Sequence, residues 1–145
     1  MDWKREAADE PRNYQNRKLA ITNIAGQIND LRREITSIRS ASADGSPVAG
    51  GSNGRDDALV NNIVKRERLE EALRLTENRV QRVEHAMNQI SERDRCVLQR
   101  FYVSPSIGGV ERLCRELAIE KPTAYRWKDQ ALRNFTIIMY GITEN

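Results

Sequence analysis

The stretch RLCRELAIEKPTAYRWKDQALRNF, residues 112–135, decides how this chain is read. Leu113, Cys114 and Leu117 fall at helical spacing, and Ala124, Trp127, Ala131, Leu132 and Phe135 form a second stripe of the same period. Between them, Ile119-Glu120-Lys121 leaves room for a tight turn, and the fixed φ of Pro122 suits a helix start. The small Ala118 and Ala124 permit close helix approach. Upstream, Ser91 and Asp94 have the spacing of an N-cap with an acidic N3 residue, followed by Val97, Leu98 and Phe101. Ser104-Pro105-Ser106 and Gly108-Gly109 stop that helix near Val103, and another begins near Val110. A supporting helix followed by helix, short turn and helix is the outline of a helix-turn-helix. The last helix, about residues 121–135, would place Lys121, Thr123, Tyr125, Arg126 and Asp129 in a major groove. Arg126 suits guanine edges or phosphate, Lys121 and Thr123 suit phosphate, and Lys128 and Arg133 lie where the backbone runs. The same pattern also fits a packed bundle with a solvated basic face, and the spacing alone leaves both open.

Working toward the N-terminus, residues 40–54 read SASADGSPVAGGSNG, holding four of the eight glycines and no apolar period. They predict a flexible connector. A phosphate-binding loop would need a GK[ST] ending and a preceding strand, and neither is present. Before the connector, Tyr14, Ile21, Ile24, Ile28, Leu31, Ile35 and Ile38 recur in alternating steps of three and four, with Arg17 interrupting the d series. Pro11, just after Asp9 and Glu10, is placed in a first helical turn. After the connector, Leu59, Leu69, Leu73, Val80, Val83, Met87 and Ile90 share one register, weakened by Asn62, Arg66 and Thr76. Those polar positions read as a frayed, exposed hairpin end or, alternatively, as determinants of register; the first reading is preferred.

The expected architecture is therefore all-α: a long antiparallel helical hairpin over residues 1–90 with its connector at 40–55, then a helix-turn-helix module over residues 91–145. The seam residues Ile21, Ile24, Ile28, Leu31, Ile35, Leu69, Leu73, Val80 and Val83 are candidates for oligomerisation, a dimer being favoured. Whether the hairpin closes within one chain is left open by the pattern. The tail from Ile137 to Tyr140 extends the last helix and is expected to pack on its own module.

Residues 112–135 resemble the helix-turn-helix of sigma-factor region four, and still more closely the C-terminal motif of phage-encoded late-gene regulators of the ArpU/RinA type. Leu113, Cys114 and Leu117 match the family's I, A and L, while Thr123, Ala124, Ala131, Leu132 and Phe135 match its T, V, A, L and final L. Two positions depart: Ala118 stands at the turn glycine and Glu120 at the usual N-cap serine. The alanine must avoid or tolerate a left-handed backbone, and Glu120 puts negative charge near any phosphate. The order of helix, Ser/Gly/Pro-rich connector, second long helix and sigma-like module is also similar to that family. The resemblance implies a regulator of phage or prophage gene transcription that binds double-stranded DNA, with host RNA polymerase as a further partner.

Composition is compatible with this. The 145 residues carry 24 basic and 21 acidic side chains, and nineteen of the cations are arginine, which suits phosphate and guanine or an ordinary helix surface. Aromatics make up only 6%, lean for a large core and suited to long solvated helices. Cys96, Cys114 and His85 have no metal-ligand or disulfide spacing, so both thiols are expected buried and free, with no metal and no cofactor. With no candidate nucleophile beside a base, catalysis is not expected. The absence of a long apolar run or signal-peptide core places the chain in the cytoplasm of a bacterial host. Two alternatives remain. One is a small terminase-like DNA-packaging subunit, although such proteins place the DNA module first. The other is a coiled-coil interaction module that binds polymerase or a host factor without DNA.

Overall fold

The computed structural model describes residues 2–43 and 52–141. Among these residues every regular element is helical: α1 (Trp3–Ala43), α2 (Ser52–Gln89), α3 (Glu92–Leu98), α4 (Gly109–Leu117) and α5 (Lys121–Tyr140), with a π-helical turn at Gln99–Val103. The fold is all-α, with α1 and α2 paired as an antiparallel hairpin. Helix continues through residues 40–43 and resumes at Ser52, so the connector expected at 40–55 is shorter at both ends. Its centre, residues 44–51, lies outside the described residues. Two compact units are present, one made of Met1–Lys18 with Asn78–Asn145, the other of Leu19–Glu77.

In the Leu19–Glu77 unit the seam closes between the two helices of one chain. Ile28 and Ile35 are buried, while Ile21, Ile24, Leu31, Leu69 and Leu73 are half-covered. Side chains bridge the two helices: Asn62 Nδ2 donates to the Leu31 carbonyl at 2.9 Å, and Arg32 lies 3.6 Å from Glu70. Asn62 corrects an expectation, because it is only 3% exposed instead of sitting at a frayed end. Its Nδ2 also reaches Glu34 at 3.3 Å, yet its enclosed Oδ1 has no hydrogen-bond partner among the described residues. The neighbouring helix covers the amide because position 62 faces directly into the seam. Arg66 and Thr76 are half-buried too, Thr76 donating to its own helix at Ala72 O, 2.7 Å away.

In the other unit, α3, α4 and α5 share one core with the ends of the two long helices. Val97, Leu98, Leu113, Ala131, Leu132 and Phe135 are enclosed, joined by Ala7, Ala8, Val83, Ala86, Met87 and Ile90. Val80 is buried in this unit as well. Enclosing each large apolar side chain contributes about 1.5–3 kcal/mol. A second correction concerns Pro11. Helix α1 starts at Trp3, so Pro11 lies well inside it and not in its first turn. An interior proline removes one helical hydrogen bond and costs about 3 kcal/mol in isolation. Pro11, Ala7 and Ala8 are all enclosed against the core, which offsets that cost. Nearby, Glu10 bridges Arg17 at 2.7 Å and Arg79 at 3.0 Å, which accounts for the arginine in the seam.

Local chemistry sets the ends of the short helices. Ser91 caps α3, its Oγ accepting from Asp94 N–H at 3.1 Å, as its spacing predicts. Asp94 is itself buried and accepts from Asn134 of α5 at 2.8 Å. The π-helical turn shows in Ser104 N–H donating to Gln99 O at 2.8 Å, five residues back. The wider turn puts Tyr102 in the core and leaves Phe101 at its rim. Cys96 and Cys114 are free but half-buried, so the expectation of enclosed thiols holds only in part: both sit at the edge of the packed layer. In the tail, Met139 and Ile138 pack on the core, whereas Ile137 and Tyr140 are exposed.

Candidate nucleic-acid interface

Helices α4 and α5 are separated by three residues, Ala118, Ile119 and Glu120. Ala118 answers the question its sequence position raises: it adopts the left-handed conformation, φ 54° and ψ 47°. A non-glycine residue there costs about 1–2 kcal/mol. The hydrogen bonds that end α4 hold it, with Ala118 N–H donating to Arg115 O at 3.4 Å and Ile119 N–H to Cys114 O at 3.0 Å. Glu120 stands at the N-cap of α5 in an extended conformation without a side-chain cap. Its carbonyl accepts from Ala124 N–H at 3.0 Å.

Helix α5 is fixed from below by Ala124, Ala131, Leu132 and Phe135, each essentially inaccessible to solvent. Its opposite face, at steps of three and four, carries Pro122, Arg126, Gln130, Arg133 and Ile137, all exposed, with Thr123 half-exposed beside them. Among the described residues Arg126 makes no ion pair; it donates to Thr123 Oγ1 at 3.1 Å, so its guanidinium keeps most of its donors free. Lys121 is exposed but engaged with Glu111 of α4 at 3.1 Å. That contact raises the Lys121 pKa; the Glu111 carboxyl is held below its ordinary value by a backbone hydrogen bond at its own residue and then by Lys121.

The remaining predicted residues lie on the flank of α5. Tyr125 is 47% exposed, with its ring 5.4 Å from that of Phe101 in an edge-on arrangement. The Lys128 ammonium sits over both rings, at 5.0 and 5.5 Å. Asp129 pairs with Lys4 at 3.4 Å, and the Arg133 guanidinium lies 6.0 Å from the Trp3 ring. The structure thus brings Thr123, Arg126 and Arg133 to the outward stripe, while Lys121, Tyr125, Lys128 and Asp129 engage neighbouring side chains.

Sequence reasoning passed over three contributors. Gln130 falls four residues after Arg126 on the same face, a spacing that could have found it. Arg93 of α3 packs over Trp127 at 4.3 Å and donates to Gln130 Oε1 at 3.4 Å. The first turns of α1, with Lys4 and Trp3, reach α5 only through tertiary packing. Among the described residues no cluster of His, Cys, Asp and Glu is placed to hold a metal ion, and no helix is long and apolar enough to cross a membrane.

Residues 35–136 match the family model described as DUF1492, a protein of unknown function. The chain belongs to the DUF1492 family. The match takes in α3, α4 and the turn between α4 and α5 entirely, together with α5 as far as residue 136. Neither a curated protein nor a solved structure matches this DUF1492 chain.

Proposed function

We propose that this DUF1492 protein is a sequence-specific double-stranded DNA-binding regulator of phage or prophage transcription. Helix α5, over about residues 121–135, would act as the recognition helix. The observation that carries the reading is Arg126: exposed, unpaired with any acid among the described residues and oriented by Thr123 near the start of a helix whose opposite face is locked in the core. A guanidinium so held can present two parallel donors to guanine O6 and N7. The likeness of residues 112–135 to sigma region four and to ArpU/RinA-type regulators supports the same role, with host RNA polymerase and a second copy of the chain as further partners. A protein-interaction role without DNA is the second reading. It draws on Lys121 being engaged by Glu111, on Glu120 at the N-cap of α5 and on Asp129 within it.

Fluorescence anisotropy of the purified protein with duplexes selected from a random pool, over a salt series, tests the proposal. One preferred sequence should bind tightly, weaken steeply with salt and lose about 1–3 kcal/mol of affinity in Arg126→Ala, with relaxed preference at one base pair. A folded protein that enriches no duplex at low salt would sink the DNA reading in favour of the second.

A further inference from the structure

Helix α5 is flanked by more than its helix-turn-helix partner. The first turns of α1 belong to the same compact unit and lie beside the middle of α5. Lys4 Nζ is 3.4 Å from Asp129, and Trp3 lies under the guanidinium of Arg133. Ala7 and Ala8, 2% exposed, anchor this segment in the core, so its cations are held on a rigid helix instead of a loose arm. Arg5, on the next position, is exposed and makes no ion pair among the described residues.

Resting on the DNA reading above, we infer that the first turns of α1 form a phosphate-contacting shoulder of the interface, with Lys4 and Arg5 acting beside Arg133. A helix seated in a major groove has a sugar-phosphate wall on either side, and elements packed against its flank meet that wall. Lys4 serves this in two ways. It cancels Asp129, the acid on α5 that would otherwise repel phosphate. As a half-exposed pair it is held only weakly to that carboxylate, so its ammonium stays available to a stronger anion. Trp3 offers the Arg133 guanidinium a ring face at 6.0 Å, a weak cation–π contact that leaves its donors free for a phosphate. None of these residues reads a base, so their effect is uniform across sequences.

The test uses the full-length protein and the duplex preferred by the wild type, alongside an unrelated duplex, over a salt series. Lys4→Ala/Arg5→Ala should bind both duplexes about ten- to a hundredfold more weakly near 0.1 M salt, with the log–log salt slope reduced by about 1.8, two phosphates' worth. The charge-conserving Lys4→Arg/Arg5→Lys should keep the wild-type slope. Thermal unfolding establishes that both variants are folded. An unchanged salt slope in the alanine variant, while the wild type binds normally, overturns this inference and leaves the recognition-helix reading standing. A loss shared equally by the charge-conserving variant also overturns it, because charge would not be the cause. If the wild type binds neither duplex, the DNA reading itself fails and this inference with it.

Discussion

In the unit made of Met1–Lys18 and Asn78–Asn145, several helices converge on each core residue, and Phe135, Leu98 and Leu113 are fully enclosed. In the Leu19–Glu77 unit only two helices meet, so among its described apolar residues Ile28 and Ile35 alone are buried, while Leu19, Val60, Ile63, Val64 and Leu75 stay exposed. The difference is geometric. A two-helix pair covers each seam residue from one side, whereas a third and fourth helix close the remaining sides. Charge divides the same way. The first unit carries sixteen basic and twelve acidic residues, net +4, and the second eight and nine, net −1. The enclosed unit thus carries the positive charge, and the open hairpin is the one with apolar surface to spare.

Replacement of single core residues would test that contrast most strongly. Phe135→Ala should cost about 3–5 kcal/mol, and Ile28→Ala nearer 2 kcal/mol, because the open hairpin can relax around the smaller side chain. Both tryptophans, Trp3 and Trp127, lie in the enclosed unit, so urea unfolding followed by fluorescence reports that unit while circular dichroism reports all helices. Phe135→Ala should shift the fluorescence transition and Ile28→Ala chiefly an earlier phase of the dichroism. Equal shifts by both probes for both variants would abolish the distinction.

An intermediate effect is expected at Glu10. Burial by itself would raise its carboxyl, but the hydrogen bond from Arg79 and the charges of Arg17 and Arg79 outweigh that and hold it below its ordinary value of 4.5. A lowered folded value means Glu10 stabilises the protein above the ordinary carboxylate range, and this stability is lost as pH falls through the lowered value. Glu10→Gln should cost about 2 kcal/mol at neutral pH, less than a fully buried pair because Arg79 is half-exposed. It should also flatten the loss of thermal stability below pH 4.5. An acid limb unchanged by the substitution would remove Glu10 from this account.

The smallest effect sharpens the view of the hairpin. Asn62 hides an amide with an unpartnered oxygen, and the Leu31 carbonyl it touches lies inside a helix. Asn62→Leu should therefore stabilise the hairpin by about 1 kcal/mol while loosening its register, seen as a higher urea midpoint together with new species in sedimentation. Destabilisation would show instead that the amide contributes net stability where it is.

The helical periods were legible because apolar spacing of three and four is a local property. Every seam residue from Tyr14 to Ile38 and from Leu59 to Ile90 named on that basis is at least half-buried. The capping of α3 by Ser91 and the short break before α5 were readable for the same reason, since turn and cap chemistry act over a few residues. The left-handed Ala118 was posed by the sequence as a choice and resolved only by the packing of α4 on α5. The early start of α1 was hidden because Pro11 reads locally as a helix beginning, and only the enclosure of Ala7, Ala8 and Pro11 makes an interior proline tolerable. Likewise, nothing in residues 3–5 points to α5. Lys4 meets Asp129, 125 positions away, because the hairpin folds back and returns the start of the chain to its last helix. Local physics settled which segments are helical and which faces are apolar. The gathering of cations around α5 and the burial of Asn62 were decided by tertiary structure, since both depend on neighbours that sequence spacing does not contain.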